Sequence, residues 1–321
     1  MKIVYVGKHD SGGNDDEGAI HFALEKLGHE VVRVMESYTK GVSNLQADFL
    51  LCHHWHDLFA LRQVKIPKVF WCFDLIDWPE GGQRHSQRRK WMTELTAICD
   101  LGFLTDGDWV AQDKTGKLHW LTQGADERPC DGTFDYVRDV RIKSNAKGQQ
   151  WMRELVYKPE DYEFVSPQVV RPVDVLFVGG LGYGRESFVK ELRERYGEKF
   201  KHVLKGCHGV ALANEINRAK IVVAPDSPVT ERYWSNRVYN VLRLGGFLLH
   251  PWSEGLYQQY KEPLSLVMYR KLELTAVIDR WLSEEKLREQ LAGEAHRWTM
   301  KKHTYSHRCA TLVQTIKEKL L

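Results

Sequence analysis

No run of roughly 18 or more consecutive apolar residues occurs in the chain, so no segment reads as a membrane-spanning helix. Six cysteines are present, and none forms a C-x-x-C pair; free, mostly buried thiols in a reduced, cytoplasmic protein are expected. The opening Met1-Lys2-Ile3-Val4-Tyr5-Val6-Gly7 lacks a signal-peptide cleavage pattern and reads as a strand. There is no short-period repeat and no low-complexity tract. Neither glycine-rich loop has the dinucleotide-binding spacing, which weakens the case for a nucleotide-dependent oxidoreductase. The net charge is only +3, far from the footprint of a dedicated nucleic-acid binder.

The 321 residues are 43% hydrophobic and 28% charged, which suits two globular domains with apolar cores. The charge is unevenly divided. Residues 1–150 carry 19 basic and 22 acidic side chains, and residues 151–321 carry 27 and 21. A mildly basic second half suits an anionic ligand such as a diphosphate.

Short apolar runs alternate with helical patterns along the first half. Strands are expected at 2–7, 30–35, 47–52, 68–73, 101–104 and 118–122, with helices at 15–29 and 87–99 among them. Residues 127–168 are polar and mixed in charge, apart from a helical stretch near 149–157, and read as an insertion or linker. The pattern then restarts. A strand at 173–178 runs into Gly179-Gly180-Leu181-Gly182, followed by helices at 186–196, 210–218 and 235–244 and strands at 200–204, 220–224 and 247–250. The tail from residue 272 is helical. Two strand–glycine–helix openings, at Gly7 and Gly179, predict two doubly wound α/β domains, 1–168 and 169–321, facing across a cleft. The final helices are expected to pack back toward the first domain.

Residues 211–256 carry the most specific pattern. Asn236-Arg237-Val238-Tyr239 opens a helix, and Gly245-Gly246-Phe247-Leu248-Leu249 stops it and starts a strand. The segment resembles the donor-binding half of group-1 (family 4-like) glycosyltransferases of the GT-B fold, nearest the spore-maturation-type branch. The tail His303-Thr304-Tyr305-Ser306-His307-Arg308 matches as well; residues 173–180 resemble the strand that opens the family's second domain, and Thr122-Gln123-Gly124-Ala125-Asp126 the end of its first. The resemblance covers about half the chain. It implies a nucleotide-sugar donor, a UDP-sugar by analogy, bound by the second domain without a divalent metal, and a first domain that binds the acceptor. One departure stands out: the family carries a Glu on the helix after Asn-Arg that contacts the donor ribose, and Asn240 occupies that place here. Glu231 lies nearby at a different spacing.

The resemblance and the chemistry together nominate site residues. A helix tip at Ser235 and Asn236 offers unpaired N–H groups to a diphosphate, and Arg237 adds a charge-assisted bond. Gly180 lets a ligand approach the backbone, and Arg185 and Lys205 are cations placed for the departing diphosphate. Asp226 and Glu231 can hold sugar hydroxyls. Gly12 and Gly13 follow the first strand, where the loop of this fold class faces donor phosphates or acceptor. Of the acids after them, Asp15 and Glu17 complement the helix dipole, and Asp16 is the one that can face the cleft. For each of these the plain structural alternative stays open: a capped helix with a surface Arg, a tight turn, a solvated loop acid.

An inverting transfer needs a general base. Asp74, at the end of an apolar strand, is the first choice and His54 the second. The resemblance implies retention, for which no base is required. Cys52-His53-His54-Trp55-His56 lacks the paired spacing of a zinc site. Arg84-His85-Ser86-Gln87-Arg88-Arg89-Lys90-Trp91 is the one concentrated basic run. It reads either as a solvated helix start or as a contact to an anionic acceptor such as a hydroxymethylated DNA base. A saccharide, a protein or a lipid headgroup are the other acceptors left open. A non-catalytic nucleotide-binding or scaffold protein of the same fold is the alternative reading.

Overall fold

The computed structural model describes residues 1–9, 15–37, 41–53, 57–78, 82–128, 136–137, 140–142, 162–164, 171–182, 184–204, 207–225, 228–261, 265–270 and 274–321. They fall into two compact units. One comprises Met1–Asp126, Thr230–Tyr233 and Thr304–Leu321, the other Glu127–Val229 and Trp234–His303. The chain therefore passes between units more than once. No helix among the described residues is long and apolar enough to cross a membrane.

The first unit runs β1 (Lys2–Gly7), α1 (Asp16–Lys26), β2 (Glu30–Met35), β3 (Phe49–Cys52), α2 (Leu58–Gln63), β4 (Lys68–Cys72), α3 (Gly82–Ile98), β5 (Leu101–Leu104), α4 (Gly107–Val110) and β6 (Leu118–Trp120). All six strands are parallel, in the order β2-β1-β3-β4-β5-β6. Strands buried on both faces need continuous apolar runs, and Phe49-Leu50-Leu51-Cys52 is buried throughout. The strand period of two then divides the core. Ile3, Tyr5, Phe49 and Leu51 face one layer of helices, while Val4, Val6, Leu50 and Cys52 face the other.

Three short antiparallel strands follow, β7 (Tyr136–Val137), β8 (Val140–Ile142) and β9 (Tyr162–Phe164). The helix expected near 149–157 lies outside the described residues.

The second unit comprises β10 (Val173–Val178), α5 (Arg185–Tyr196), β11 (Phe200–Val203), α6 (Gly209–Asn217), β12 (Ala219–Val223), α7 (Arg237–Arg243), β13 (Leu248–Pro251), α8 (Glu254–Tyr260), β14 (Val267–Tyr269), α9 (Leu274–Ser283) and α10 (Glu285–Lys302). Its sheet is again parallel, ordered β11-β10-β12-β13-β14. The three-residue β14 and the helix α8 were not foreseen from sequence. The last helix, α11 (Tyr305–Leu320), belongs to the first unit. Its Tyr305, Cys309, Leu312, Val313 and Ile316 join Ala19, Ile20, Ala23 and Leu24 of α1 in one apolar layer.

In both sheets the strand order reverses beside the first strand, between β1 and β3 and between β10 and β12. Loops leaving the two strands at such a reversal diverge and open a crevice at the carboxyl ends, which is where ligands bind in folds of this kind. The start of β10 is anchored by a buried ion pair. Arg171 donates through Nη2 to Glu289 Oε2 at 2.8 Å and through Nη1 to the Asn217 carbonyl at 3.2 Å. Arg288, also buried, donates to the Trp281 carbonyl and has its Nε 3.5 Å from Glu289 Oε1. Replacing Glu289 leaves two buried guanidinium groups without their carboxylate. Glu289→Ala is expected to destabilise the protein by about 3 kcal/mol in urea denaturation, in line with loss of one partner of a buried pair.

Candidate functional site

The reversal in the second sheet holds two of the three cations nominated from sequence, Arg185 and Arg237. Arg237, the first residue of α7, donates from Nε to the Val178 carbonyl at the end of β10 (2.8 Å) and from Nη1 to Ser235 Oγ (3.3 Å). Its guanidinium carbon lies 5.4 Å from the centre of the Phe177 ring. Arg185, the first residue of α5, donates from Nε to the Pro225 carbonyl just beyond β12 (2.9 Å). Each arginine is thus fixed by its Nε to a main-chain oxygen at the carboxyl end of one of the two diverging strands. Gly179 has φ of 152°, and a Cβ there would lie 2.7 Å from Arg237 Nη2; only glycine lets the guanidinium lie this close. Among the described residues, nothing lies within 4 Å of a Cβ built on Gly180, so the backbone there faces open space. His202 completes the floor: its ring stacks on Phe177 (5.1 Å, 7°) and its Nε2–H donates to the Gly179 carbonyl at 2.8 Å.

Other nominated residues are placed differently. The helix begins at Arg237 instead of Ser235 and spans only seven residues. Asn236 is its N-cap, with helical dihedrals and no side-chain cap bond. Asn240 is half-buried on α7, with its N–H donating to the Asn236 carbonyl. Glu231 is exposed and falls with Thr230–Tyr233 in the first unit. Gly12, Gly13, His54, Lys205 and Asp226 lie outside the described residues.

In the first unit, the loop after β4 is pinned by Asp106, a fully buried acid that sequence reading missed. Its Oδ2 accepts from the Ile76 and Asp77 N–H groups and its Oδ1 caps α4 through Trp109 N–H. Burial raises the pKa of its carboxyl, and the three N–H bonds oppose this. Asp74 accepts from Arg88 Nη2 at 2.7 Å, and Asp77 from Arg89 Nη1 at 3.3 Å. His85 is buried, its ring 5.3 Å from that of Trp78. The basic run is therefore partly spent on holding this loop.

The carboxyl end of β1 holds a second group of titratable side chains. Asp15 caps α1 through Gly18 N–H. Asp16 accepts from the Tyr305 hydroxyl at 2.7 Å and from Gln123 Nε2 at 3.4 Å, while Arg308 Nε donates to the Gln123 carbonyl. Gly124 lets α11 come this near, since a Cβ there would lie 2.7 Å from Tyr305 N. The tail motif Thr304–Arg308 thus positions the first turn of α1. Glu17 points inward and is 7% exposed. Burial, with Asp15 and Asp16 adding to it, pushes its carboxyl up to about 7, against the pull of the Glu17 and Lys8 N–H groups. Among the described residues, no cluster of three or more His, Cys, Asp or Glu could hold a metal ion.

Residues 178–314 match the family model described as glycosyl transferase-like. No curated protein matches the chain by sequence. Among solved structures, the chain resembles sucrose-phosphate synthase from Thermosynechococcus elongatus (TM-score 0.64, 12% identity, 99% of this chain and 98% of that one). It also resembles Anabaena HepE in complex with UDP and glucose (0.58, 11%, 99% of each chain). A third is T4 phage BGT in complex with its UDP-glucose substrate (0.57, 11%, 100% of each). The chain has the GT-B fold. Its two Rossmann-like units are those of that fold, and the glycosyl transferase-like match covers Val178, Gly179, Gly180, Arg185 and Arg237.

Glu17 gives a test that needs no substrate. Its carboxyl is protonated in both folded and unfolded chains below about pH 4.5; between there and pH 7 only the unfolded chain releases the proton, so stability falls as pH rises. Above pH 7 the cost is constant. Glu17→Gln removes it, so the variant is expected to melt several degrees higher than the wild type at pH 8 and at about the same temperature at pH 4.

Proposed function

We propose that the protein is a glycosyltransferase that moves a hexosyl group from a UDP-sugar to a hydroxyl acceptor. The observation that carries this reading is the convergence of Arg185, Arg237 and the open backbone at Gly180 on the β10/β12 reversal, within the segment that matches the glycosyl transferase-like model. Transfer leaves a diphosphate whose negative charge grows as the bond to the anomeric carbon breaks. Two guanidinium groups already fixed in place stabilise that charge without reorganising, and no metal ion is required for neutralisation. Open space at Gly180 allows a phosphate to approach the main chain, and Ser235 and Asn240 lie on the same segment for contacts to the sugar and ribose. A UDP-sugar is chosen because UDP or UDP-glucose is bound in two of the similar structures.

The second unit supplies donor binding, and the first, with its own reversal at β1/β3, supplies acceptor binding. Local pairing of Arg88 with Asp74 and of Arg89 with Asp77 weighs against duplex DNA as the acceptor, since these cations are already partly neutralised. A non-catalytic nucleotide-binding protein is separated by donor hydrolysis in the absence of acceptor, which a pure binder does not perform.

Calorimetric titration with UDP-, GDP- and TDP-sugars tests the reading, with UDP-glucose expected to bind. Arg185→Ala and Arg237→Ala are each expected to weaken binding by about tenfold or more, the loss of one charge-assisted bond to phosphate. Gly180→Val is expected to leave the melting temperature unchanged and to abolish binding, because the added side chain meets ligand and no protein atom. Absence of binding by the wild type to every nucleotide sugar would refute the proposal.

A further inference from the structure

Trp252 follows the last residue of β13 and is 44% exposed, although tryptophan is a side chain that folding normally covers. It is not a stray apolar residue. The Tyr257 ring of α8 stands 4.9 Å from it, inclined at 31°, so the two rings make one aromatic surface. Both are fixed by the main chain. The Trp252 N–H donates to the Tyr269 carbonyl at the end of β14 (2.9 Å), and the Tyr257 N–H to the Ser253 carbonyl at the start of α8 (2.9 Å). A pair of aromatic rings held rigidly at the surface, with polar groups around it, is the form of a binding site.

Those polar groups come from α8 itself. Glu254 and Gln258 are exposed, and Gln258 Nε2–H donates to Glu254 Oε1 at 2.6 Å. Spacings of three and four residues put 254, 257 and 258 on one face of the helix, so a carboxylate and an amide border the Tyr257 ring. The second carboxylate oxygen and the Gln258 carbonyl are acceptors. The Trp252 indole N–H and the Tyr257 hydroxyl are donors, and neither has a hydrogen-bond partner among the described residues.

A pyranose ring matches this arrangement. One of its faces is made of C–H groups, which suit the electron-rich face of an indole, and its edge carries hydroxyls that each donate and accept. A nucleobase also stacks on aromatic rings, but it arrives with phosphates, which the Glu254 carboxylate opposes. An apolar peptide covers the rings and leaves the polar border without partners. In the sheet, β13 lies beside β12 on the side away from β10, so the pair is one strand removed from the reversal that holds Arg185 and Arg237.

We infer that Trp252 and Tyr257 form a saccharide-binding site, with Glu254 and Gln258 holding the hydroxyls of an uncharged sugar ring. The site takes a sugar that carries no nucleotide, and it goes beyond the glycosyltransferase reading without depending on it.

The experiment titrates the full chain with maltohexaose, cellohexaose and chitohexaose, read by saturation-transfer NMR. At least one is expected to bind with a Kd on the order of a millimolar, as suits a shallow site with few contacts. Trp252→Ala is expected to weaken that binding by about tenfold or more, and Gln258→Ala by about threefold, the loss of one hydrogen bond. Both variants are expected to keep the wild-type melting temperature, because both side chains are exposed, and UDP-glucose is not expected to displace the hexasaccharide. Failure of all three hexasaccharides to bind overturns the assignment. So does undiminished binding by Trp252→Ala, displacement by UDP-glucose, or Trp252-dependent binding of an oligothymidylate in their place. Hexasaccharide binding by a chain that binds no nucleotide sugar upholds this site and refutes the glycosyltransferase reading; the reverse pattern removes this site alone.

Discussion

The Nε–H of Arg237, bonded to the carbonyl that ends β10, is the contact on which the account of the second unit depends. It ties the start of α7 to the strand where the sheet reverses. Gly179 lies beneath the guanidinium because no other residue leaves room for it, and Phe177 and His202 form a stacked platform under the same loop. Arg185 repeats the device from the other side of the reversal, through the main chain after β12. Two cations held by backbone oxygens lose little freedom when an anion arrives, so more of their attraction is available for binding.

The first unit uses the same sheet topology for a different electrostatic end. Acids stand after several of its strands, at β1, β4 and β5, where arginines stand at the reversal of the second sheet, and the acids have separate tasks. Asp15 caps a helix, Asp16 fastens α1 to α11, Asp106 pins the loop after β4, and Asp74 and Asp77 hold two arginines of α3. Glu17 is left buried with an elevated carboxyl, at a cost in stability at neutral pH. Groups kept at such a cost are found disproportionately at working sites.

Much of this was legible in the sequence. Apolar runs such as Phe49–Cys52 and Leu101–Leu104 announce strands buried on both faces, and the restart at Val173–Val178 announces the second sheet. Arg185, Gly180 and Arg237 could be nominated because a glycine loop after a strand and a cation opening a helix have direct physical meanings. What could not be read depended on partners far away in the chain. Glu17 looked like an ordinary first-turn acid, since nothing local says that Gly7 makes room for it. The Arg88–Asp74 and Arg89–Asp77 pairs likewise turn an exposed-looking basic run into a loop clamp. β14 was missed because three residues give too short a period to register.

Amide hydrogen exchange with and without UDP tests the central claim most directly. The account predicts slowed exchange concentrated at residues 178–182 and 235–240, the backbone around the two fixed arginines. Measurable UDP binding with protection confined to other segments, and none at these strand ends, would contradict it.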